Sequence, residues 1–304
     1  MTVYKINFNS SSTVVDSIKI SRAVTFAYSI LYPDKIDNFI SGIKNGEIAF
    51  SNIFPIDGKT MLYPVPAINN HVINTKREER LNSIKNRKNV SKFIDAQLLS
   101  KIINNFIEND FRGVEYSKIF DEAPPEKKEF IKPVTEPGIV FLEEPVFQND
   151  RWKYNEVFTK ELYLYGEGYF IVENSDKFVN AAIMLLNDLG ISGRRDSGKG
   201  MVSIRKSEDD MPIGFNNPGF YILLSSYIPD EDSIKSIDFS KSRYNIETFQ
   251  GKSINGNPIG PFRYFKPGSV LYIKDKVKGK TYPDENGIMI FNPVLKEVQN
   301  EGYN

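Results

Sequence analysis

Cysteine is absent from this 304-residue chain and histidine occurs once, at His71. The first absence excludes disulfides, thiolate metal sites and thiol catalysis, and fits a reducing compartment such as the cytoplasm. The second excludes any multi-histidine metal site, and leaves His71 as the one imidazole for general acid–base work. His71 lies in a Pro/Asn-rich loop, Pro64-Val65-Pro66-Ala67-Ile68-Asn69-Asn70-His71, with no partner that the sequence identifies. No apolar run approaches the ~20 residues of a membrane-spanning helix, and no signal-peptide pattern opens the chain. Carboxylates are scattered or sit in charged turns such as Asp209-Asp210 and Asp230-Glu231-Asp232, so no metal cluster and no cofactor is expected. Net charge is zero, from 39 basic and 39 acidic residues.

The balance hides local asymmetry. Between Asn74 and Lys92, seven cations (Lys76, Arg77, Arg80, Lys85, Arg87, Lys88, Lys92) face two anions. Between Gly190 and Lys206 there are five cations and one anion. Binding to a polyanion follows such patches rather than the total. With 40% hydrophobic residues, 22 Phe and 16 Tyr, the chain can bury a substantial core.

The densest motif is Leu189-Gly190-Ile191-Ser192-Gly193-Arg194-Arg195-Asp196-Ser197-Gly198-Lys199-Gly200, with four glycines and three cations in twelve residues. Glycine permits positive φ and close approach to a ligand, and Arg and Lys are charge-assisted donors to phosphate. Gly193 to Lys199 reads G-x-x-x-x-G-K, but Gly200 stands where a P-loop carries its magnesium-binding hydroxyl. The context is also inverted: an apolar helical pattern over 176–189 precedes the motif and a short strand, Met201 to Arg205, follows it. A P-loop runs from strand to helix. An NTP site, a turn with solvated cations and a phosphate-contacting loop remain the readings of these residues alone.

Along the chain, Val3–Phe8 alternates as a strand. A Ser-rich turn leads to helical spacing over Arg22–Ile43, split at Pro33. Ile48–Phe50 and Thr60–Tyr63 read as strands around the Asp57-Gly58 turn. Asn74–Phe111 reads as helical, its apolar face being Phe93, Ile94, Leu98, Ile102, Ile103 and Phe106. Asp121–Gly138 is a Pro/Glu/Lys-rich connection. Leu162–Val172 reads as strand or hairpin, Phe220–Leu224 and Val270–Ile273 as strands, and Gly251–Gly268 as a long Gly/Pro loop carrying Lys252, Arg263, Tyr264, Phe265 and Lys266. Two β-helix-β blocks emerge. The expected division is 1–73, a helical insertion and connection over 74–138, and 139–304.

On these residues the chain resembles the RAMP superfamily of CRISPR effector subunits. The family loop commonly reads L-G-x-S-G-[LIF]-G-G-[KR]-[RS]-x-x-G-x-G, and Leu189–Gly200 matches it two to three residues shorter, without the central Gly-Gly. Ser51-Asn52-Ile53-Phe54-Pro55 with Leu62-Tyr63-Pro64-Val65-Pro66, then Tyr221-Ile222-Leu223-Leu224-Ser225 and Pro267-Gly268-Ser269-Val270-Leu271, are most similar to the subunit type that caps the guide 5′ end in type III-A (Csm) complexes. The resemblance implies an α+β fold of tandem ferredoxin-like (RRM-like) domains with a helical insertion and a glycine-rich loop. It implies a cytoplasmic, non-catalytic subunit that holds the 5′ tag of a guide RNA. The implied partners are other RAMP backbone subunits and the large polymerase-like subunit, with no membrane. Candidate RNA-binding residues are Gly190, Gly193, Arg194, Arg195, Gly198, Lys199 and Gly200, with Arg87 and Lys88 in the insertion and Lys252 and Arg263 in the late loop. Tyr264 and Phe265 are candidates for stacking on bases, against core packing as the alternative. A processing endoribonuclease of the same superfamily, using His71, is the other function left open, beside a pure interaction protein.

Overall fold

The computed structural model describes residues 1–13, 15–68, 92–114, 119, 131–134, 146–148, 151–153, 162–191, 198–208, 218–252, 258–284 and 287–298. The expectations on His71, Arg87, Lys88, Gly193, Arg194 and Arg195 lie outside the described residues.

The chain opens with β1 (Thr2–Phe8) and α1 (Ser17–Leu31), whose Asp16 cap accepts a hydrogen bond from the Lys19 N–H. Pro33 ends that helix in a short 3₁₀ turn, as expected of a residue without an N–H, and α2 (Ile36–Lys44) follows. β2 (Phe54–Asp57) and β3 (Thr60–Met61) form a hairpin around Gly58, which takes φ +62°. β4 (Tyr63–Pro64) pairs with β5 (Phe93–Ile94), and Asp95 then caps α3 (Ala96–Glu108). β6 (Ile131–Val134) pairs with β9 (Leu162–Tyr165), and β7 (Val146–Gln148) with β8 (Arg151–Lys153). β10 (Gly168–Val172), α4 (Lys177–Leu189) and β11 (Val202–Lys206) complete the first part.

The second part comprises β12 (Gly219–Leu223), α5 (Glu231–Ser236) and β13 (Ile237–Arg243), then the ribbon of β14 (Ile246–Lys252) and β15 (Pro258–Phe265). After it come β16 (Val270–Ile273), the hairpin of β17 (Thr281–Asp284) and β18 (Gly287–Ile290), and β19 (Leu295–Glu297). The fold is α+β.

The first sheet runs β11-β1-β10-β2-β3 and the second β13-β16-β12-β19; every pairing in them is antiparallel. Alternation sorts their side chains into three cores. Tyr4, Ile6, Phe170 and Val172 pack on one face of the first sheet, beneath α1 and α4. Val3, Tyr169 and Ile171 point the other way, into a core shared with α3 and with Phe220, Ile222 and Val270 of the second sheet. Tyr221, Leu223, Leu271 and Ile273 form the outer core of the second sheet.

Several expectations are corrected. β10 and β11 pair directly with β1, so residues 2–8 and 168–206 share one sheet. The two β-helix-β blocks interleave in one sheet. Ile48–Phe50 holds a single bridge, Phe50 to Val172, and the strand is Phe54–Asp57. Ile48, Ala49 and Phe50 are buried, so their apolar run marks core rather than pairing. Phe93 and Ile94 form a strand, since Asp95 starts the helix after them. Leu162–Val172 supplies two strands, but they belong to different sheets. Gly251–Gly268 is largely not a loop: Lys252 pairs with Pro258 and Thr248 with Arg263, with a register shift between Phe249 and Gly251. A two-stranded ribbon has edges on both sides, so it accommodates Pro258 and Pro261, which a central strand would not.

Candidate nucleic-acid interface

The glycine-rich segment starts where α4 stops. Asp176 caps the helix by accepting from the N–H groups of Phe178 and Val179, at 2.9 and 2.8 Å. Val179, Ala182, Ile183 and Leu186 are its buried face. Gly190 terminates it at φ +71°, donating to the Leu186 carbonyl at 2.8 Å. A Cβ on Gly190 would lie 2.8 Å from the Gly200 carbonyl oxygen, so both backbone angle and space require glycine there.

The segment is pinched at its base. Ile191, buried at 5% exposure, donates its N–H to the Gly200 carbonyl at 2.9 Å. Gly200 donates to the Ser11 carbonyl at 2.9 Å, and the Met201 N–H reaches Ser10 Oγ at 3.1 Å. The Asn9 N–H returns to the Met201 carbonyl at 2.8 Å. The base is therefore stapled to the turn after β1, which leads into the N-terminus of α1. Gly198 and Gly200 both take φ +71°. Gly200 is buried, while Gly198 is exposed, and a Cβ on Gly198 would meet nothing within 4 Å. An anchored base with an open, positive-φ rim is the backbone arrangement that can turn N–H groups toward an anion.

The structure brings together Gly190, Gly198, Lys199 and Gly200. Lys252 and Arg263 sit on the separate β14–β15 ribbon, where Arg263 is exposed. That ribbon packs against the start of α1: Tyr264 shares a core with Ile18, and its hydroxyl lies 3.0 Å from Glu247 Oε2. Burial and the neighbouring Glu247 carboxylate push the Tyr264 phenol well above its ordinary value. Burial also raises the Asp16 carboxyl, with Lys19 opposing and Glu247 adding to the shift. Tyr264 is thus a packed residue, buried at 8% exposure, and not a free stacking platform. Phe265 is half-buried against Tyr227, Phe239 and Tyr244. The Ser10–Ser11 turn is the part of the site that the motif did not announce; its three consecutive serines after a strand were the available signal. Among the described residues no group of three or more His, Asp or Glu could hold a metal ion, and no helix is long and apolar enough to cross a membrane.

This helix, glycine loop and strand close one antiparallel sheet of an α+β molecule whose whole architecture recurs in solved structures. The fold is Csm4-like. Over 97% of its length and 98% of the other's, the chain superposes on a chain of the Csm3–Csm4 subcomplex of the type III-A CRISPR-Cas interference complex, with TM-score 0.60 and 19% identity. It matches a chain of the Csm1–Csm4 cassette in complex with cA4 over 100% of both, with TM-score 0.57 and 14% identity. For the same cassette in complex with one ATP the values are 0.56 and 15%, over 99% of both chains. Csm4 is the component common to these assemblies, and at such identities the likeness is one of fold. No protein-family model and no curated protein matches the sequence.

Proposed function

We propose that this chain is a non-catalytic RNA-binding subunit of a type III-A CRISPR interference complex, holding the 5′ tag of the guide RNA and docking the large polymerase-like subunit. The observation that carries the reading is the glycine-rich loop, anchored at its base to the turn before α1, on a fold matched end to end by chains of Csm3–Csm4 and Csm1–Csm4 assemblies. Gly190, Gly193, Gly198 and Gly200 supply backbone that a phosphate can approach, and Arg194, Arg195 and Lys199 neutralise it. Arg87 and Lys88, with Lys252 and Arg263, are the further cations proposed to contact the RNA backbone. The proposed setting is the cytoplasm, with RAMP backbone subunits as the further partners.

The strand orders support a tandem ferredoxin-like organisation. Taking β1, β2, β10 and β11 as its own four strands, the first sheet runs fourth, first, third, second. The second, built of β12, β13, β16 and β19, has its strands in the spatial order second, third, first, fourth, which is the same order read from the other edge. On this reading the first unit spans 2–206, with 74–138 an insertion, and the second spans 219–297.

The test is binding of a tag-bearing guide RNA over a range of salt concentrations. Replacing Arg194, Arg195 and Lys199 by Ala should weaken binding and flatten the salt dependence by about 0.7 per lost phosphate contact, or roughly 2 in all. An unchanged slope removes the loop as the RNA site. Specific cleavage of repeat-containing RNA that His71→Ala abolishes would instead favour the processing nuclease.

A further inference from the structure

In the strand order of the first sheet, β11 stands at one end. Its pairing with β1 fixes which of its backbone groups face outward. The Ser207 N–H donates to the Val3 carbonyl, and the Asn9 N–H to the Met201 carbonyl, both at 2.8 Å. Backbone groups alternate sides along a strand. Met201, Ser203, Arg205 and Ser207 therefore bond toward β1, and Val202, Ile204 and Lys206 present theirs to the outer edge. At that edge the Ile204 N–H donates to Asn187 Oδ1 at 2.5 Å, and Asn187 Nδ2 donates to the Ile204 carbonyl at 3.3 Å. One side-chain amide thus takes both backbone groups of one residue, as a residue of a neighbouring strand would.

Asn187 is half-buried in the last turn of α4, just before the Gly190 stop, and Ile204 lies in β11 just after Gly200. The clasp joins the two stems from which the glycine-rich segment leaves and to which it returns. Around it, Val202 and Ile204 share a core with Ile183 and Leu186 of α4. Apolar packing is non-directional and leaves the helix free to slide along the strand. The amide supplies the direction, because it carries a donor and an acceptor on one planar group. Leucine offers neither, and aspartate would set a carboxylate oxygen against the Ile204 carbonyl. With α4 and β11 held in register, the Ile191 N–H meets the Gly200 carbonyl and the Gly200 N–H meets the Ser11 carbonyl. A loop whose stems are fixed in this way loses less freedom when it binds.

We propose that Asn187 is a positioning residue for guide RNA binding. It sets the register of α4 against β11, so that Gly198, Lys199 and Gly200 stand ready for the phosphate backbone. Its own amide is committed to Ile204, and it acts through the loop rather than on RNA. The inference rests on the reading of the glycine-rich loop as an RNA contact.

The experiment uses the full chain as wild type, Asn187→Leu and Asn187→Ala, the last leaving room for water at the Ile204 edge groups. Amide hydrogen exchange is measured first, without RNA. The N–H groups of Ile191 and Gly200 should exchange about 10-fold faster in both variants, with those of β10 unchanged, because the opening is local. Affinity for a tag-bearing guide RNA should then fall about 10-fold, the scale of one net hydrogen bond. Where Arg194, Arg195 and Lys199 are already Ala, the same substitutions should weaken RNA binding no further, since groups that act as one unit are non-additive. Wild-type exchange or wild-type RNA affinity in both variants overturns the proposal. So does a loss that persists in full on the Ala background, which would make Asn187 act independently of the loop. If wild type itself does not bind the guide RNA, the functional reading fails first and this inference with it.

Discussion

Glu173 follows β10, where its N–H donates to the Ala49 carbonyl at 2.9 Å, and its side chain lines a pocket with Met1, Gly46, Asn174 and Lys276. Burial raises its pKa to about 7, with Lys276 pulling the other way. Between the ordinary value of 4.5 and about 7, the folded chain holds a proton that the unfolded chain has released. Stability therefore falls as pH rises through that window and is level above it. Glu173→Gln should remove this slope. The variant should match wild type in urea midpoint at pH 4 and exceed it at pH 8; a constant offset between the two proteins at both pH values would assign the effect to packing instead. Nothing in the sequence marks Glu173, because a carboxylate after an apolar strand ordinarily reads as the polar edge of a turn.

At the scale of elements, the sequence was most legible where a local rule and the burial pattern agreed. Helix α4 has a capping Asp176, an apolar stripe and a Gly190 stop, and it forms as those residues dictate. Where composition and pairing disagreed, composition misled. The β14–β15 ribbon looks like a loop because Gly251, Gly256, Gly260, Pro258 and Pro261 crowd it, yet Phe249 and Phe262 face each other across it. The candidate site divides in the same way. Its glycine and cation content was plain, whereas the anchoring of its base to Ser10 and Ser11 depends on a contact about 190 residues distant in sequence. The loop's glycines are accordingly not equivalent. Gly190→Ala meets both positive φ and the Gly200 carbonyl, while Gly198→Ala meets only positive φ in open space. The strained backbone alone costs about 1–2 kcal/mol. Gly198→Ala should lose about that much stability in chemical denaturation, and Gly190→Ala clearly more. Equal losses would show that the base of the loop is not the close contact described.

For the molecule as a whole, the two sheets could be read from sequence as separate domains, because each has its own strands and turns. Their interior says otherwise. Val3, Tyr169 and Ile171 of the first sheet and Phe220, Ile222 and Val270 of the second occupy one core, and this follows from which face each alternating residue takes. Polar ties cross the same junction. The Asn52 N–H donates to the Leu224 carbonyl at 2.8 Å, and the Ser226 N–H to Ser17 Oγ at 3.0 Å. Asn292, 2% exposed, donates to the carbonyls of Ile43 and Ile48 at 2.8 and 2.9 Å and accepts from the Gly279 N–H at 3.0 Å. It thereby joins the end of α2 to the segment between β16 and β17. Asn292→Leu would strand two buried backbone groups, the Gly279 N–H and the Ile48 carbonyl, each worth about 1 kcal/mol or more when orphaned, while the Ile43 carbonyl keeps the Gly46 N–H. A loss of about 2 kcal/mol corresponds to roughly 4–8 °C in melting temperature for a chain of this size. Because the core is shared, scanning calorimetry should show one transition in wild type and one, displaced as a whole, in Asn292→Leu. A variant trace that split, with one peak unmoved, would mean that the sheets melt independently and that their common core does not couple them.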